Sequence, residues 1–392
     1  MSAHGHLGRE ARSAAHHLAD IHSGIVSREA CTQSVLGYKE VPNRNHWLAM
    51  NKKGHTAKAQ NLRDAILAAP LVIDSSQATS GMLYLPALHT KALALAAPVV
   101  IGAAGTGKSF LASALLQSEP LRAQLNASVP DLHDTPIRAG FSIQAAHCES
   151  FPDASIFQAL LAQNGDPFDL WRAIIFRWAA HVCGTQIPDE TWLATVMWVR
   201  RQPEDAARLI QHAAQRDKVL FIFDSVEQIS DDAQSVDAIV RGLLRALLWL
   251  TPFKTIYAKA FLSSQQASRT VWNFPDASKI HYYRCELDWA PCDLHGLLWQ
   301  RLVNAPSTHG ALARSICTGS LDVYGAWQIP AAMREEVTQR PAFKTLSTAW
   351  QKRDGKPRPT YSGVIKQAAD DCGQVSPRAF LSAIRAMSGP PQ

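Results

Sequence analysis

The chain lacks the marks of several protein classes. Its seven cysteines, at 31, 148, 183, 285, 292, 317 and 372, are odd in number and never form a C-x-x-C pair. That spacing gives neither a disulfide framework nor a zinc site, and reduced, mostly buried thiols are the expectation. No stretch approaches the roughly 18 uninterrupted apolar residues that would span a bilayer. Met1-Ser2-Ala3-His4-Gly5-His6 has no apolar signal core. A soluble, cytoplasmic protein without a membrane partner is therefore expected. No repeat or low-complexity tract is visible. Charge is sparse too: 18% of residues are Asp, Glu, Lys or Arg, and the net +6 is compatible with a nucleic-acid or acidic partner without requiring one.

What is present is ample core material. With 392 residues and 47% hydrophobic content, the chain has room for two or three domains. The pattern divides it at 1–84, an N-terminal helical region, 85–305, an α/β core, and 306–392, a C-terminal helical lid. The first region is rich in His and Ala and offers helices over 9–21 and 56–68. His16, His17 and His22 have spacing that could face a metal, but solvated helix residues are the expected reading.

From about residue 85, strands and helices alternate. Short apolar runs at 98–101, 138–145, 218–223, 255–262 and 280–287 predict five strands. Val219 to Phe223 is continuously apolar, as for a strand covered on both faces. Between the third and fourth runs, Val236, Ile239, Val240, Leu243, Leu244, Leu247 and Leu248 repeat at helical period, behind a Ser230-Asp231-Asp232 start suited to an N-cap. The alternation predicts a mainly parallel five-stranded sheet with helices on both faces.

Three local patterns carry chemistry. Gly102-Ala103-Ala104-Gly105-Thr106-Gly107-Lys108-Ser109 fits G-x-x-x-x-G-K-[ST], with a strand before it and an apolar helix, beginning at Phe110, after it. Glycines let the backbone wrap closely round phosphate oxygens. Lys108 reaches the β/γ-phosphates and Ser109 ligates Mg²⁺. The second pattern is Asp224 at the tip of the third strand, where a carboxylate can hold a Mg²⁺-bound water. Glu227, three residues on, is the nearest acid that can polarise an attacking water, though a surface acid would look the same. Near the C-terminus, Ser376-Pro377-Arg378 opens a striped helix (Phe380, Leu381, Ile384, Met387). Serine caps it, proline fixes its first turn, and Arg378 is held where a guanidinium can meet phosphate.

The glycine loop and Phe-Ile-Phe-Asp-Ser-Val-Glu resemble the Walker A and B motifs of the AAA+/STAND group of P-loop ATPases. The resemblance spans about residues 85–390. It implies ATP and Mg²⁺ as ligands, residues 102–110 as the nucleotide cradle, Ser109 and Asp224 at the metal, Glu227, Lys108 and Arg378 in hydrolysis, and Arg378 as a sensor 2 arginine. It implies sensor 1 at Ser263 or Ser264, and Arg269 or Arg301 as a finger for a neighbouring subunit. Trp289 and the leucines after it read as core, and Asp276 as a turn residue. Two departures stand out: Asp224 is followed by Ser225, not Glu, and no arginine stands near the end of the fourth strand. The first points to slow hydrolysis and a nucleotide-controlled conformational or assembly switch, with a homo-oligomeric or protein partner, and the resemblance implies a role in bacterial antiviral defence or DNA systems. A scaffold binding DNA or protein without efficient turnover, using Arg44, Lys52, Lys53 and 352–358, is the alternative. A small-molecule kinase is a third.

Overall fold

The structure, a computed structural model, describes residues 59–71, 84–116, 129–143, 150–163, 165–187, 191–305, 307–317, 321–324, 327–350 and 358–389. All fall within the unit Lys52–Gln392. The apolar runs form β1 (Val99–Gly102), β2 (Ile137–Phe141), β3 (Val219–Phe223), β4 (Ile256–Ser263) and β5 (Cys285–Glu286). These make one five-stranded sheet, parallel throughout, in the order β2-β3-β4-β1-β5. Along β3, Val219, Phe221 and Phe223 turn to one face and Leu220 and Ile222 to the other, and all are buried. The strand needs no polar alternation because helices cover both sides.

In chain order the helices are α1 (59–68), α2 (His89–Leu93), α3 (Lys108–Leu116), α4 (Ala154–Ala162), α5 (Pro167–Cys183), α6 (Trp192–Arg201) and α7 (Pro203–Arg216), then α8 (Ala233–Leu250), α9 (Ser278–His281) and α10 (Pro291–Val303). The last are α11 (Ser307–Ile316), α12 (Glu336–Leu346), α13 (Tyr361–Ala368) and α14 (Pro377–Ser388). One sheet face is covered by α4 to α8. Trp178 meets Phe221 edge-on at 5.6 Å, and the buried Trp171 donates its indole N–H to the Ile239 carbonyl at 3.1 Å. Burying each such aromatic contributes about 1.5–3 kcal/mol. On the other face, Leu111 and Leu115 of α3 pack over Val100, Ile222 and Phe261. A third apolar cluster joins Leu62 and Ile66 of α1 to Leu298 of α10, Phe343 of α12, Val364 of α13 and Phe380 and Ile384 of α14. Thus α1 shares its core with helices near the C-terminus, and α10 packs there too.

Helix starts follow their caps. Asp232 accepts the Ser235 N–H at 2.8 Å to open α8, and Ser376 accepts the Ala379 N–H at 3.2 Å with Pro377 in the first turn of α14.

Three stretches differ from their sequence patterns. The run 280–287 yields only the two-residue β5, because 278–281 closes a short helix around buried Ile280 and turns Tyr282 and Tyr283 to solvent. The second strand ends at Phe141. Residues 306–392 are not helical throughout: β6 (Leu321–Tyr324) and β7 (Trp327–Pro330) pair as an antiparallel hairpin. The alternation in Leu-Asp-Val-Tyr is too short to stand out beside the flanking helical periods. Among the described residues, no helix is long and apolar enough to cross a membrane, and the five described cysteines are free thiols.

Candidate functional site

The glycine loop runs from the end of β1 into α3. Gly105 (φ +79°) and Gly107 (φ +102°) occupy left-handed backbone that side chains with a Cβ adopt only at a cost. Lys108 Nζ arches back over the loop, donating to the carbonyls of Gly102 at 2.7 Å and Ala103 at 2.9 Å. Thr106 Oγ1 donates to the Ala103 carbonyl at 2.9 Å. From outside, Trp289 donates its indole N–H to the Thr106 carbonyl at 2.9 Å. Read from sequence as core, Trp289 does pack against the cluster of α1 and α10, and it also holds the loop and walls the cavity above it. The loop's N–H groups and the positive end of α3 form a setting that favours an anion.

β4 lies between β1 and β3, so the acid at the tip of β3 stands across one strand from the loop. Ser109 Oγ closes that gap, donating to Asp224 Oδ1 at 3.4 Å. Asp224 is 2% exposed. Its other oxygen accepts from Ser225 Oγ at 3.0 Å, and its N–H donates to the Phe141 carbonyl at 2.9 Å. Ser225 has φ +61°, a strained backbone for serine directly after the acid. Burial raises the Asp224 pKa, opposed by the hydrogen bonds from Ser225 and Ser109. Burial also lowers the Lys108 pKa, opposed by the charges of Asp224 and Glu227. Desolvation therefore disfavours the ion at each, and a bound anion by Lys108 or a cation by Asp224 would reverse it.

Glu227 lies in the 3₁₀ turn Val226–Ile229 and accepts from Gln266 Nε2 at 2.8 Å. Gln266 is 6% exposed. Its Oε1 accepts the Ser263 N–H at 2.5 Å, and its own N–H donates to Ser263 Oγ at 3.1 Å. Of the two serines expected to sense phosphate, Ser263 is engaged in this tie and Ser264 is exposed. Sequence reasoning missed Gln266. Its signal, an amide a few residues past the strand, is indistinguishable from an ordinary loop residue until the turn brings it under Glu227.

Above the loop is a cavity of 210 Å³. Residues Gly105 to Phe110 line its floor, Tyr84, His89 and Trp289 one wall, and Leu297, Arg301, Pro377, Arg378 and Leu381 the other. A Cβ at Gly105 would come within 2.9 Å of Ser376 Oγ and 3.1 Å of Arg378 Cβ, so the start of α14 rests on the loop. Gly102, Ala103, Ala104, Asp224 and Glu227 do not line the cavity; the two acids approach it through Ser109 and Lys108. Arg301 is 5% exposed and lines this cavity. His16, His17, His22, Arg44, Lys52, Lys53 and 352–357 lie outside the described residues, as does the side chain of Arg269. Among the described residues, no three His, Cys, Asp or Glu side chains converge as a metal cluster. The serine and carboxylate oxygens of Ser109 and Asp224 are hard donors of the kind that suits a hydrated Mg²⁺. Comparison with protein-family models, curated proteins and solved structures finds no match to this chain.

Proposed function

We propose that the chain binds ATP with Mg²⁺ and hydrolyses it slowly, as a nucleotide-controlled conformational or assembly switch. The observation that carries this reading is the shared geometry of one loop: Lys108 over it, Ser109 bonded to the buried Asp224 below, and Arg378 of α14 facing the cavity above. Ser109 and Asp224 would hold Mg²⁺, which supplies charge neutralisation on the phosphate oxygens. Lys108 would exchange its two carbonyl acceptors for phosphate. Glu227, oriented by Gln266, would polarise the attacking water. Arg378 would report the terminal phosphate to the helical layer, since the start of α14 already touches Gly105.

Glu227 stands three residues beyond Asp224 and is fixed by an amide, not by another charge. That supports slow turnover. Light scattering after size exclusion, without nucleotide, with ADP and with a non-hydrolysable ATP analogue, tests the switch. Assembly or compaction with the ATP analogue alone is expected. Phosphate transfer to an added acceptor would favour the kinase, and binding with no phosphate release the scaffold.

A further inference from the structure

Gly107 lies between two peptide planes that are held by different means. Its own carbonyl accepts the Leu111 N–H at 2.9 Å, which fixes the second plane to the first turn of α3. The first plane, between Thr106 and Gly107, is held at its carbonyl by the Trp289 indole N–H at 2.9 Å. Gly107 has φ +102°, and a Cβ there would meet nothing within 4 Å. Glycine's freedom therefore leaves the orientation of the first plane to its hydrogen bonds. In a planar trans peptide the N–H and C=O point opposite ways. With the Thr106 carbonyl drawn to Trp289, the Gly107 N–H is turned away from the indole.

The indole is itself fixed. It stacks with Tyr84 at 6.0 Å and meets His89 edge-on at 5.2 Å. It also packs on the apolar cluster that α1 shares with α10 and α14. His89 Nε2 lies 3.0 Å from the Asp288 carbonyl, one residue before the tryptophan. Trp289 stands two residues ahead of Pro291, where α10 begins. One donor from the helical layer thus reaches into the glycine loop.

We propose that Trp289 is a positioning residue through which the helical layer controls the phosphate affinity of the glycine loop; this rests on the nucleotide reading above. Its N–H holds the Thr106 carbonyl and so keeps the Gly107 N–H presented to a phosphate oxygen. Movement of α10 that withdraws the indole frees the plane to turn, offers the anion a carbonyl oxygen in place of a donor, and lowers affinity. Bound phosphate in turn holds Trp289 in place, as linkage requires.

The test is calorimetric titration of ATP, tripolyphosphate and adenosine into wild type, W289F and a protein with benzothienylalanine at position 289, with a melt of each. Benzothienylalanine keeps the ring shape and replaces the N–H by sulfur. It should weaken ATP and tripolyphosphate about tenfold, as for one lost hydrogen bond and a loosened loop, and leave adenosine within about twofold. A residue that only walls the cavity would leave tripolyphosphate unchanged. One that only supports the fold would lower the melting point and all three affinities together. Tripolyphosphate binding within about threefold of wild type, or an equal loss for adenosine, overturns the proposal. So does a wild type that takes ATP but not tripolyphosphate. If the analogue does not fold, W289F is judged by the same criteria; failure of both to fold assigns Trp289 to structure and also overturns it. Wild type that binds neither ATP nor tripolyphosphate defeats the nucleotide reading itself. Wild type that binds both, with an analogue that binds equally well, defeats only the role of Trp289.

Discussion

Gln266 donates its side-chain N–H to Glu227 at 2.8 Å while its carbonyl oxygen accepts the Ser263 N–H. One amide thus ties the acid beyond β3 to the tip of β4. If Glu227 orients water, Q266A should lower ATP turnover about tenfold while affinity stays within threefold. E227Q should cost on the order of 100-fold or more in turnover, the range expected of a general base. Phosphate-release kinetics beside nucleotide titration separate the two effects. Equal turnover in Q266A and wild type would show that the tie is structural only.

Lys108 is the cation nearest the loop carbonyls. K108A should abolish measurable ATP binding, a loss of about 100-fold or more for a charge-assisted contact in a desolvated site. Calorimetry checks it, with a melt to confirm folding. Unchanged affinity overturns the central reading.

Arg378 sits in the first turn of α14, beside Gly105. R378A should leave ATP affinity within several-fold, yet impair hydrolysis or the nucleotide-linked change in assembly. Steady-state turnover and light scattering are the measurements. If both survive intact, the arginine has no sensing role.

A second buried cation gives a pH signature remote from the loop. Lys259 in β4 is fully buried and donates to the carbonyls of Ala94 at 3.0 Å and Ala97 at 2.5 Å. Burial draws it down to about 7 from an ordinary value of 10.5. Between those values the unfolded chain holds a proton that the folded chain has released, so stability rises with pH across the window. Below about 7 both states are protonated and the full penalty remains. The rise should approach about 1.4 kcal/mol per pH unit at most. Urea unfolding at pH 7.5 and 9 should show it in wild type and not in K259M; parallel pH dependence in the two would refute it.

Much of the sheet was legible because buried parallel strands are short continuous apolar runs. Val219–Phe223 and its acid needed no tertiary information, nor did the caps at Asp232 and Ser376. The helices α4 to α7 between β2 and β3 were not legible. Their aromatic residues, Trp171, Phe176 and Trp178, lie on a helix buried nearly all round, where periodicity fades. The site divides in the same way. Lys108, Ser109 and Asp224 are fixed by local pattern, whereas Gln266 and Trp289 matter through contacts made far along the chain.

The third apolar cluster has a consequence for synthesis. Leu71 and Tyr84 wall the cavity on one side, and Arg378 and Leu381 on the other. Arg63 donates to the carbonyls of Ser388 and Gly389. A growing chain must therefore leave the contacts of α1 with Ser388 and Gly389 unmade for some 300 residues. The pocket is finished only when α14 has been made and has docked, so ligand capture would have to wait for that helix.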